Sequence, residues 1–206
     1  MQQHRTCYTV SLIVGLLTVM TASAEVIENG TFSKGAAHWD LAVPTVYGPP
    51  PAATIKNNAL ELSGLGGSSM GYLTLNQAVH IQSNKSYKMR FEAMGNTAGK
   101  FLVALHDPGK GSHVSKIVET EPSWKTYEID FVGTYETDKN WVRKWIKATR
   151  GNKLEGGHTV GSLLHEVDEP KGDGPVRSYL TMGLGEIRGN FAVRNISIVE
   201  ALPGRP

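Results

Sequence analysis

The stretch from Ser178 to Glu200, SYLTMGLGEIRGNFAVRNISIVE, constrains the fold more than any other. Two runs of β-branched, aromatic and other apolar residues flank a glycine-punctuated turn from Gly185 to Gly189. That is the pattern of a β-hairpin. In the second run Phe191 and Val193 share one face, but the next apolar pair, Ile196 and Ile198, begins three residues after Val193 instead of two. Strand side chains alternate with a period of two, so the slip predicts a β-bulge near Arg194 and Asn195. A late strand of this kind closes an antiparallel sandwich against a first strand near the N-terminus, here Glu25 to Glu28.

The middle of the chain repeats the period of two. Tyr87, Met89, Phe91 and Ala93 predict a buried face, and Lys88, Arg90 and Glu92 an outward one. Phe101, Val103 and Leu105 point inward in the next strand, with Ala104 and His106 outward. Tyr127, Ile129 and Phe131 alternate in the same way with Glu128 and Asp130. Weaker strands are expected at Asp40 to Tyr47, Ala59 to Ser63, Tyr72 to Ile81, with a break at Asn76-Gln77, and Val114 to Thr120. Gly48-Pro49-Pro50-Pro51 ends the first of these, because proline donates nothing to a ladder. With 23 Gly, 10 Pro and little helical periodicity, the chain reads as all-β. The stretch 134–176 breaks the rhythm. It is long for a connection within a sandwich and predicts a functional insertion. It carries Trp141 and Trp145 among Arg143, Lys144, Lys147 and Arg150.

Residues 1–24 have the marks of an export signal: His4 and Arg5, an apolar core from about Tyr8 to Met20, then Ala22-Ser23-Ala24. The apolar core is short for a membrane span, and no span is expected after cleavage. Residues 25–206 then form a single β-sandwich domain. Cys7 is the only cysteine and falls inside the signal, so the exported domain has no thiol and no disulfide. Export without disulfides points to a bacterial secreted or periplasmic protein. The signal holds Arg5 and no acid, so 20 basic residues remain against 19 acidic, net +1. That balance is no nucleic-acid footprint.

Four pieces, in order along the chain, carry a family resemblance. Asn29-Gly30-x-Phe32-x-x-Gly35-x-x-x-Trp39 comes first. Gln77-x-Val79-x-Ile81 with Lys85-x-Tyr87-x-Met89-x-Phe91-x-Ala93 comes second. Trp124-x-x-Tyr127-x-x-x-Phe131 is third, and Leu180 to Gly185 with Val193-Arg194-Asn195-Ile196-Ser197-Ile198 is the last. Together they resemble carbohydrate-binding modules of the family four/nine type, which are galactose-binding-domain-like. The resemblance implies a jelly roll of two antiparallel sheets, often with a structural calcium ion, and carbohydrate as the partner. That family usually has Asp in its final Asp-Asn-Val-type motif where this chain has Arg194. A guanidinium is a poor neighbour for a bound cation, which argues against calcium there.

Sugar binding needs flat apolar faces and planar polar groups. Arg90, Glu92, His106 and Gln77 are the candidate polar groups, and Trp141, Trp145, Tyr72 and Tyr47 the candidate aromatic ones. One groove is expected, floored by Arg90, Glu92 and His106 and roofed by the insertion with Trp141 or Trp145. Trp39 and Trp124 sit in framework motifs and are expected in the core. His158, His165 and Glu166 match no metal-site spacing. His106 with Tyr72 or Tyr179 offers a base and an acid for a polysaccharide lyase. No Gly-x-Ser-x-Gly marks a serine hydrolase. The first reading is a non-catalytic carbohydrate-binding module that recognises a polysaccharide or cell-surface glycan. The alternatives are a small jelly-roll lyase or hydrolase, and an envelope or protein-interaction sandwich.

Overall fold

The computed structural model of the protein describes residues 25–42, 51–67, 73–107, 111–137 and 178–201. The described strands are β1 (Asp40–Ala42), β2 (Ala52–Lys56), β3 (Ala59–Gly66), β4 (Thr74–Ala78), β5 (Ser86–Gly95), β6 (Lys100–Asp107), β7 (Gly111–Glu119), β8 (Lys125–Val132), β9 (Tyr179–Gly183) and β10 (Arg188–Glu200). They make two five-stranded sheets, β1-β4-β9-β6-β7 and β2-β3-β10-β5-β8. Every pairing is antiparallel, so the chain is an all-β sandwich of the jelly-roll kind. The inward faces meet in one apolar core. Phe91 of β5 lies edge-on to Phe101 of β6 at 6.0 Å, and Phe101 reaches Phe191 of β10 at 5.4 Å, which joins the two sheets.

The slip in the last strand is a bulge. The register of β10 against β5 shifts between Arg194 and Ser197, and Asn195 adopts φ +52°. The bulge falls where β10 changes neighbours. Up to Val193 it pairs with β3. Beyond the bulge the N-terminal segment takes over, with Ile196 N–H donating to Gly30 O (3.0 Å) and Val26 N–H to Ile198 O (2.9 Å). The close approach requires glycine at position 30, since a Cβ there would lie 1.7 Å from the Ile196 oxygen. The expected strand Glu25 to Glu28 is reduced to a single bridge, Glu25 with Val199.

The first family motif is a loop scaffold. The Asn29 side chain donates to Gly35 O and Ala37 O, both at 2.9 Å, and accepts from Lys34 N–H. Trp39 Nε1 donates back to Asn29 O (3.1 Å), and its ring lies 5.4 Å from Phe32. Trp39 is core, as expected, but Trp124 is not: it is only half-buried, under the Arg194 guanidinium at 4.2 Å. Strand β2 has no counterpart in the sequence reading. Its turn into β3 is Asn57-Asn58, with φ +50° and +58°, the left-handed pair of a tight hairpin. The expected signal 1–24, the strand extension 43–47, Tyr72 and the body of the insertion all lie outside the described residues.

Candidate functional site

The outward face of β1-β4-β9-β6-β7 collects polar groups in a row that the register alone defines. Asp40 pairs with Asn76, Asn76 with Thr181, Thr181 with Ala104, and Ala104 with Ser115. Thr181 Oγ1 donates to Asn76 Oδ1 at 2.8 Å, and Asn76 Nδ2 donates to Thr74 Oγ1 at 2.9 Å. Asp40 lies at the end of this row, buried at 2 % exposure. Among the described residues neither of its oxygens has a hydrogen-bond partner. Burial pushes its carboxyl up from 3.8 to about 7, because a buried carboxylate loses its hydration.

Two further rows flank the polar one. Ala78, Tyr179, His106 and Ser112 run along one side, with the His106 and Tyr179 rings 4.8 Å apart and steeply inclined. Ala42, Thr74, Gly183, Leu102 and Ile117 run along the other. Ile117 is 61 % exposed. The face therefore combines hydrogen-bonding groups with ring and aliphatic surfaces.

The two roots of the insertion sit at the His106 end of this sheet. Thr134 N–H donates to His113 Nδ1 (3.0 Å), and His113 Nε2 faces Ser178 Oγ at 3.4 Å. Thr137 Oγ1 accepts from Ile81 N–H at 2.9 Å. One imidazole thus ties the departing strand to the returning one. Trp141, Trp145, His158, His165 and Glu166 lie outside the described residues, as do Tyr47 and Tyr72.

The single groove expected from Arg90, Glu92 and His106 does not form. Arg90 and Glu92 project from β5 and His106 from β6, so they stand on opposite outer faces of the sandwich. Alternation within each strand was legible, but it carries no information about which sheet a strand joins. Gln77 is not outward either. It is fully buried and brackets the N-terminal segment, accepting from Glu28 N–H (2.8 Å) and donating to Glu28 O (2.7 Å). The polar row itself was missed. Its signal was a lone polar residue between core neighbours: Asp40 between Trp39 and Leu41, Thr181 between Leu180 and Met182.

Glu92 belongs to a cross-link on the far face. Arg194 Nε donates to Glu92 Oε2 at 2.8 Å, and Asn195 Nδ2 to Glu92 Oε1 at 3.0 Å. These two contacts, the Asn195 amide first, hold the Glu92 carboxyl below its usual range. The neighbouring cleft of about 560 Å³, between Asn29, Gly30, Arg90, Glu92 and Asn195, has an arginine on its wall. The residues present do not fit calcium: at the bulge the Glu92 carboxylate is engaged by a guanidinium and an amide. Among the described residues no three His, Cys, Asp or Glu side chains are grouped to hold a metal ion. The melting temperature is accordingly expected to be the same in calcium and in chelator, because only a ligand of the native state raises it. A drop on chelation, read by calorimetry, would show that a cation site exists despite Arg194.

No protein-family model and no curated protein matches the chain. Solved structures do. A carbohydrate-binding module of family 4 (CBM4) superposes with a TM-score of 0.56 at 14% identity, over 85% of this chain and 99% of that one. The second N-terminal cellulose-binding domain of Cellulomonas fimi β-1,4-glucanase C gives 0.56 at 14%, over 89% and 99%. The first such domain of the same enzyme gives 0.51 at 11%, over 83% and 91%. At these identities the likeness is one of fold, and it is specific in that respect: the chain is built as the two-sheet jelly roll on which such carbohydrate-binding modules are built.

Proposed function

We propose that the protein is an exported, non-catalytic module that binds a polysaccharide on the outward face of β1-β4-β9-β6-β7. The observation that carries this reading is the contact of the partly exposed His106 and Tyr179 rings, with Thr74 at the other margin of the face. Hydroxyls of a sugar are met by the polar groups of these margins, and its C–H faces by the rings. From Asp40 to His106 the face spans three strand spacings, ~14 Å, room for several pyranose rings in sequence. The same distance counts against hydrolysis by these two groups, which are too far apart to flank one glycosidic bond. The shared fold with modules named for cellulose binding supports the reading. The signal pattern of residues 1–24 supports export.

One observation favours a lyase as the second reading, the contact between His106 and Tyr179. Screening the chain on a glycan array, then affinity electrophoresis on the polysaccharides that retain it, separates the readings. His106→Ala is expected to weaken retention roughly five- to tenfold, the loss of one contact worth ~1–1.4 kcal/mol. Arg90→Ala, on the far face, should leave retention unchanged. Depolymerisation of the polysaccharide with new unsaturated ends would establish the lyase instead, and failure to bind any glycan would end both readings.

A further inference from the structure

The outer face of the other sheet, β2-β3-β10-β5-β8, holds a second concavity, of about 270 Å³. Its floor is a cross-strand row. Thr54 pairs with Glu61, Glu61 with Ala192, and Ala192 with Met94. Glu61 stands between the core residues Leu60 and Leu62, and Ala192 between Phe191 and Val193, so the row faces out. Residues at the strand ends raise its walls. Asn190 N–H donates to Asn96 Oδ1 (2.7 Å) and Asn96 N–H to Asn190 O (3.2 Å), which fixes the Asn96 amide by its oxygen and leaves its nitrogen to donate. Gly95 N–H donates to Glu121 O (2.9 Å) and so seats Pro122 on the other side. Among the described residues that line the pocket, Glu61 alone is ionisable. It is half-buried and forms no ion pair among the described residues. Elsewhere on the same face carboxylates do have cations: Glu92 has Arg194 at 2.8 Å, and Glu128 has Lys88 at 3.4 Å.

We propose that this pocket takes one unit of an amino sugar, whose ammonium binds Glu61 and Thr54 and whose ring lies on Met94 and Pro122. The site is on the opposite sheet from the polysaccharide face, so the inference goes beyond that reading and does not depend on it. The ammonium is the first part of the match. It brings three donors and no acceptor. Glu61 offers two carboxylate oxygens and Thr54 a hydroxyl oxygen. Side chains directly opposite on antiparallel strands stand ~5 Å apart at Cβ, close enough to share one small cation. A charge-assisted bond is roughly twice as strong as a neutral one, so a carboxylate without a countercharge favours an amine over the hydroxyl of a neutral sugar in the same place. The same carboxylate repels a uronate. The ring is the second part. Ser63 and the Asn96 and Asn190 amides border the pocket with donors that a bare alkylamine would leave unused and that ring hydroxyls accept from. The Met94 thioether and the Pro122 ring supply apolar surface for the C–H face of a pyranose.

The test is an NMR titration of the full chain at pH 6, where an amine is protonated. Backbone amide signals of Glu61, Asn96, Asn190 and Ala192 report on this pocket, and those of Asn76 and Thr181 on the opposite face. Failure here is thereby distinguishable from failure of the polysaccharide reading. The probes are the glucosamine trimer; cellotriose, which has a hydroxyl in place of each amine; and n-propylamine, which has no ring. At the pocket signals the glucosamine trimer is expected to bind at least about tenfold more tightly than either other probe. Glu61→Gln keeps the shape and removes the charge, and should weaken the trimer at least about tenfold. Its melting curve establishes that it is folded; if it is not, the wild-type comparison of the three probes decides. Equal affinity for the trimer and cellotriose at the pocket signals, or undiminished binding to Glu61→Gln, overturns the inference. So does n-propylamine bound as tightly as the trimer, since the ring then adds nothing. Absence of shifts at those signals with every probe ends it as well.

Discussion

Asp40→Asn is expected to stabilise the protein at pH 8, although it removes a buried side chain's charge and adds no partner. The sign follows from linkage. In the folded chain the Asp40 carboxyl is pushed up to about 7, from 3.8 when unfolded. Between those values the native state holds a proton that the unfolded state has released, so stability falls as pH rises through the window. Stability from this group is complete below the unfolded value and lost by the time pH passes about 7. The full swing is about 4 kcal/mol, at 1.36 kcal/mol per unit. Asparagine cannot ionise and abolishes the swing, but its own unpartnered amide retains some cost. A net gain of about 1–3 kcal/mol at pH 8 remains. At about 2–4 °C per kcal/mol for a chain of this size, melting curves resolve it. Near pH 4 the gain should vanish. A variant less stable than wild type at pH 8 would mean that the Asp40 charge has a stabilising partner.

Phe91→Ala should be the opposite case, a large loss independent of pH. Phe91 is fully buried, stacked on Tyr127 at 5.1 Å and edge-on to Phe101 at 6.0 Å. Truncating a phenylalanine in such a setting costs ~3–5 kcal/mol, the lost transfer energy plus an unfilled cavity between the sheets. One residue earlier, Arg90 is exposed and its ion pair with Glu128 spans 3.9 Å at the surface. Arg90→Ala should therefore cost under ~0.5 kcal/mol. Urea melts of the two variants measure the contrast directly, as a shift in midpoint at unchanged slope. A larger loss for Arg90→Ala than for Phe91→Ala would show that the phase of β5 is inverted.

That contrast between neighbours is also what the amino-acid sequence makes legible. Phase within a strand is a local property, since side chains alternate wherever the backbone is extended. Hence Tyr87, Met89, Phe91 and Ala93 were assigned to the core from the chain alone, and all four are buried. The bulge at Arg194 and Asn195 was visible for the same reason, as a break in an otherwise regular alternation. The hairpin turn at Asn57-Asn58 was not recognised, although two consecutive residues tolerant of left-handed backbone were its sign.

The site belongs to the other category. Its row is assembled from Asp40, Asn76, Thr181 and Ala104, on four strands, and its members are neighbours only because β9 comes to lie between β4 and β6. Non-local pairing of this kind leaves no period in the chain, so Arg90 and His106 looked alike from the sequence and proved to face opposite ways. Gln77 looked like an outward polar group and is instead a buried bracket, because the N-terminal segment that it holds passes over that edge. By itself the sequence determined the all-β class, the inward face of each long strand and the place of the bulge, through alternation and backbone stereochemistry. Only the tertiary structure decided which outward residues share a face, and that Asp40 is buried without a partner, because strand order and desolvation arise from contacts between segments far apart in the chain.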